Sequence, residues 1–150
     1  MAPASQRGAA AFSLRLAVRH PLVFLKLNAM FSVAPLLSSP NLYREIFCSA
    51  DMPEELVRAY QARTQDDSYR MYAELLFGLA EPKLTQTPPP TLVLVGERDQ
   101  TFPRSSYDAV ARGFGTDVVA LRRLPHAMAL DECWQVAADT ILAWLKQRGL

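Results

Sequence analysis

The chain has 150 residues and a formal net charge of +1, with half of its residues hydrophobic and about a fifth charged. That balance suits one globular core and, with neither sign of charge dominant, argues against nucleic acid or an anionic membrane surface as a partner. No apolar run reaches the ~18 residues that a membrane span needs; the nearest, residues 21–37, contains Lys26 and Asn28 and is bracketed by Pro21 and Pro35.

No acidic residue precedes Glu45, whereas Arg7, Arg15, Arg19, Lys26 and Arg44 are basic. This reads as an amphipathic helix with a basic outer face rather than an organelle transit peptide, because the helical pattern runs on into Phe31. No secretory signal is visible, and the expected location is cytoplasmic. Residues 13–31 read as helix broken near His20-Pro21, since proline removes a backbone donor and disfavours helix at the residue before it. Short helices are predicted over 40–48 and 53–64. In the second, Pro53 suits the first turn and Glu54 and Glu55 complement its positive end. Tyr72, Leu75, Leu76 and Leu79 recur at helical spacing over 68–80.

The pattern changes near Pro82–Pro90. Thr91–Val95 is a continuous apolar run of the kind that a parallel strand buried on both faces shows. A helix over 104–112, a second strand over 118–121 and a helix over 131–147 follow. In the last, Asp131 is the expected cap, and Trp134, Ala137, Ile141, Trp144 and Leu145 form the expected buried stripe. The fold class is therefore α/β: a helical region, then β-α-β-α with a short parallel sheet and right-handed connection. Two strands do not make a self-sufficient sheet, and an open edge beside Leu92–Val95 invites homo- or hetero-association. The cysteines, Cys48 and Cys133, match no metal or redox spacing and read as free thiols. No metal and no cofactor is expected.

Asp99 lies just beyond the first strand and His126 just beyond the second. If the strands are parallel, both stand at one carboxyl edge, where α/β folds place ligands and reacting groups. A carboxylate beside an imidazole fixes its tautomer and stabilises its protonated form, leaving the other ring nitrogen to take a proton.

The run Pro-Thr-Leu-Val-Leu-Val-Gly-Glu-Arg-Asp (90–99), then a strand, then Leu-Pro-His-Ala-Met-Ala-Leu-Asp (124–131) before an amphipathic helix resembles the C-terminal part of an α/β-hydrolase. In that family the order is Ser…Asp/Glu…His. The resemblance implies that Asp99 is the triad acid and His126 the triad base. It implies that residues 1–85 are a helical cap and 86–150 the end of the catalytic domain. Phe102 and Met128 would then wall the site, and Phe24, Met30 and Phe31 would help bind a small apolar acyl or ester-like substrate. None of the nine serines lies in a G-x-S-x-G elbow, and no HGGG-like oxyanion segment is present. The expectation is thus a partial α/β-hydrolase, inactive alone, cut from a longer parent. The competing expectation is a non-catalytic interaction subunit that completes its sheet with a partner chain.

Overall fold

The computed structural model describes residues 6–77 and 89–149. Ser5, Leu79, Pro82, Pro88 and the expected boundary at residue 85 lie outside the described residues. Among the described residues, α1 (Gln6–Arg19), α2 (Pro21–Met30), α3 (Pro40–Phe47), α4 (Glu54–Arg63) and α5 (Tyr69–Leu76) precede β1 (Val93–Gly96), α6 (Arg104–Gly113), β2 (Val118–Leu121) and α7 (Trp134–Gln147).

Local chemistry sets most of the boundaries. The predicted break at His20-Pro21 is real, and Pro21 opens α2 where a missing N–H costs nothing. Phe31 ends α2 in the left-handed region, with φ 49°. A single 3-10 turn over Ala34–Leu37, which the sequence pattern did not suggest, leads into α3. Ser39 caps α3 by accepting from Leu42 N at 3.3 Å, and Leu42, Tyr43 and Ile46 bury one face. Ser68 caps α5 through Met71 N at 3.2 Å.

β1 and β2 pair in parallel, with Val93 opposite Val118 and Gly96 opposite Leu121. Parallel pairing flanked by helices is the expected arrangement for these strands. Val93 and Val95 pack on Tyr107 and Ala111 of α6. Leu94 and Leu121 belong to the opposite packing, with Leu124 and Ala137 of α7. The helical region has its own cores. Phe12, Leu16, Leu27, Leu36, Leu42 and Ile46 form one, and Tyr43, Cys48, Met52 and Val57 form another. Cys48 and Cys133 are both free.

Three expectations fail in instructive ways. The outer face of α1 is mixed rather than basic, with exposed Arg19 beside exposed Leu14 and Val18. Arg15 donates to Gln100 O and Arg19 pairs with Glu45 at 3.1 Å. Helix α1 carries two apolar stripes, and among the described residues only one has a core to enter. The expected stripe of α7 is likewise only partly covered: Ala137 is buried and Trp144 and Leu145 are half-buried, but Trp134 and Ile141 are 48% and 40% exposed. A two-stranded sheet is too narrow to cover a 14-residue helix, so Trp144 instead lies under the Arg148 guanidinium, 4.2 Å from the ring centre. Finally, α7 begins at Trp134, and Asp131 stands before it, accepting from Cys133 N at 3.1 Å in an Asx turn.

Candidate active site

The parallel register brings the two loops that follow β1 and β2 to the same edge. Their backbones are tied together beyond the strands: Glu97 N donates to Leu121 O and Arg98 N to Leu124 O, both at 3.0 Å. Asp99 and His126, 27 residues apart in sequence, meet there. His126 Nδ1 lies 2.9 Å from Asp99 Oδ2, and their side chains are only 16% and 2% exposed. A carboxylate only accepts, so Nδ1 holds the proton and Nε2 of the neutral ring is the acceptor. Among the described residues nothing hydrogen-bonds to Nε2.

Asp99 is held as a fixed acceptor. Its Oδ1 accepts from Thr101 N at 2.6 Å and Phe102 N at 3.1 Å, and its Oδ2 also accepts from the Tyr107 hydroxyl. Burial pushes the carboxyl up. The hydrogen bond and charge of His126, then the Tyr107 hydroxyl and the Phe102 amide, outweigh it and hold Asp99 below its ordinary value. Burial and then the Asp99 carboxylate push the Tyr107 phenol up, so it stays a donor.

The helical region supplies the floor. The last carbonyls of a helix have no intrahelical partner, and here the two loops provide them. Ile46 O accepts from the Thr101 hydroxyl at 3.0 Å, and Phe47 O accepts from Ala127 N at 2.9 Å. Thr101 thus bridges the Asp99 carboxylate to the end of α3. Below them Ser49 donates to Asp131 at 2.5 Å, both residues buried. Asp51 faces Arg98 at 3.2 Å and Arg123 at 3.5 Å on the surface. Replacing Thr101 with valine keeps the shape but leaves Ile46 O without its donor. The expected cost is about 1–2 kcal/mol, read as a lower urea midpoint at unchanged slope.

Of the other expected residues, Phe102 is where the resemblance implies, its ring edge-on to His126 with centroids 5.5 Å apart. Met128 packs instead with Leu121, Leu124 and Ala137 under α7. Phe24 packs in the α1–α3 core. Met30 lines a shallow groove of about 310 Å³ with Leu22, Val23, Lys26 and Pro35. Phe31 is 73% exposed and edge-on to Tyr69 at 5.4 Å. The structure therefore joins Asp99, His126 and Phe102, and gives Phe24, Met30 and Phe31 other surroundings in the helical region. Phe47, with its ring 6.2 Å from that of His126, is a wall residue the sequence did not suggest. Thr101 and Tyr107 were missed as well.

Among the described residues no hydroxyl or thiol hydrogen-bonds to His126, whose one side-chain partner is Asp99. Ser13, Ser32, Ser39, Ser49 and Ser68 are bonded elsewhere, and Ser106 is buried in α6. Burial pushes the Cys48 thiol up, against the pull of Arg44, which leaves it a poor nucleophile. Among the described residues no three His, Cys, Asp or Glu side chains gather as metal ligands, and no helix is long and apolar enough to cross a membrane. No model of a known protein family matches the chain, and neither a curated protein nor a solved structure does.

Proposed function

We propose that this chain carries the acid–base half of a serine-dependent α/β-hydrolase, acting on an ester or related acyl substrate of small or medium apolar character. The observation that carries the reading is the Asp99–His126 pair: Nδ1 engaged at 2.9 Å, Nε2 unbonded among the described residues, both side chains at the carboxyl edge of a parallel sheet. Asp99 fixes the tautomer and stabilises the imidazolium. His126 takes the proton of a serine hydroxyl as it attacks the carbonyl, then returns it to the leaving group. The serine and the oxyanion donors come from outside the chain, because no serine here occupies a G-x-S-x-G elbow. By itself the chain releases no p-nitrophenol from p-nitrophenyl esters. Reading the frame upstream of Met1 is expected to reveal the missing elbow, and the longer product turns over these esters until His126→Gln removes the base. Serine-dependent turnover by the 150-residue chain alone would overturn this reading.

A second reading, a non-catalytic subunit that completes its sheet with a partner chain, draws on two features. Among the described residues β1 pairs on one side only, and α7 exposes Trp134, Val136, Ile141 and Leu142. Stoichiometric co-purification of a partner strand-bearing protein favours it. A lone monomer prone to aggregation favours the hydrolase half.

A further inference from the structure

A carboxylate offers four acceptor positions, and Asp99 receives four donors. Two backbone amides occupy Oδ1, while His126 Nδ1 and the Tyr107 hydroxyl share Oδ2. Tyr107 sits in the first half of α6, is 1% exposed, and packs its ring against Val93, Val95 and Ala111. A core tyrosine needs a partner for its hydroxyl. The partner here is the same oxygen that the imidazole uses, and two donors on one oxygen compete for its charge.

We propose that Tyr107 is a positioning residue for the Asp99–His126 pair: its hydroxyl holds Oδ2 toward the imidazole and tempers how strongly the carboxylate stabilises the imidazolium. The proposal rests on reading that pair as an acid–base unit. A phenol donating to the carboxylate stabilises its negative charge and weakens its hold on the proton-bearing ring. Removing the donor leaves more of that charge to His126, so His126 keeps its second proton to higher pH. A stronger donor acts in the opposite sense. The aromatic rings of Phe47 and Phe102 flank the imidazole. Several charged groups on the surrounding elements have partners of their own. Arg44 pairs with Glu54 and Glu45 with Arg19 on the α3 side. Arg98 and Arg123 pair with Asp51, Arg104 with Asp108 on α6, and Asp131 accepts from Ser49. Glu97 is exposed on the acid loop itself. These groups stay in place in a Tyr107→Phe protein, so their influence cancels between the two forms.

The test follows the ring-proton resonances of the two histidines through a pH titration of the purified chain, with His20 as internal control. Tyr107→Phe is expected to raise the His126 midpoint by about half a pH unit or more. Wild-type chain grown with 3-fluorotyrosine, a more acidic phenol and stronger donor, is expected to lower it. His20 moves in neither. A purely structural Tyr107 changes the melting temperature and leaves the His126 midpoint in place, and unmoved midpoints in both samples overturn the proposal. If Tyr107→Phe fails to fold, the fluorinated protein decides alone. Asp99→Asn separates the two levels. A midpoint that falls in Asp99→Asn but stays fixed in the tyrosine samples ends the Tyr107 role only. A midpoint unmoved by Asp99→Asn ends the acid–base pair itself.

Discussion

Gly96→Ala lowers stability by about 3 kcal/mol or more, enough to leave much of a marginally stable chain unfolded. Gly96 closes β1, and the backbone of the histidine loop passes directly over it. A Cβ there would stand 2.5 Å from Pro125 O and 2.7 Å from Leu124 C, and nearer still to Leu124 O. All three are main-chain atoms, so no side chain can swing away to make room. Leu124 O is also the acceptor of Arg98 N at 3.0 Å, which ties the loop to that spot. A methyl group therefore either lifts the histidine loop off the strand or breaks the tie between the loops. Urea unfolding reads the loss, and the His126 ring resonances read the displacement. A variant within about 0.5 kcal/mol of wild type, the range of an ordinary surface change, would mean that the loop does not lie on Gly96.

The second large effect belongs to Asp99. Asp99→Ala strands Thr101 N, Phe102 N, the Tyr107 hydroxyl and His126 Nδ1 around an empty space. Unpaired buried donors cost about 1–3 kcal/mol each before relaxation. With water entering beside the partly exposed His126, a total near 3–5 kcal/mol is expected. The pH dependence has a definite sign. The folded-state carboxyl lies below its ordinary value, so Asp99 contributes stability that is fully present above the unfolded value of about 3.9. That contribution is lost as the pH falls through the folded value, below about pH 4. Wild type therefore loses stability on acidification in that window, and Asp99→Ala lacks this part of the slope. Equal slopes in both proteins would show that the carboxylate is not stabilised by its surroundings.

The parts of the molecule that were legible in the sequence are those governed by near neighbours. Pro21 marks a helix start because proline geometry acts on its immediate neighbours, whereas Ser39 and Ser68, which cap α3 and α5 by equally local chemistry, were not singled out. The strand over 118–121 was placed correctly. The first strand was expected to begin at Thr91, but pairing starts at Val93 because β2 offers Val118 as its first partner. The Asp99–His126 contact could be anticipated because strand direction alone brings both loops to one edge. What sequence could not convey was how much surface would find a cover. The residues Trp134 and Ile141 recur at helical spacing, yet the spacing does not say whether anything packs there. The same limit hid the second apolar stripe of α1, Leu14 and Val18. Tyr107 was missed because nothing local shows which acceptor its hydroxyl meets. Thr101 and Phe47 answer to partners 55 and 80 residues away along the chain, and no periodic pattern carries information over that distance.

The bond from Ala127 N to Phe47 O has a consequence for how the molecule breathes. A backbone amide held this way exchanges its proton with solvent only when the bond opens. Opening here parts the end of α3 from the loop that carries His126, so the exchange rate of this one amide measures how often the base is left without its floor.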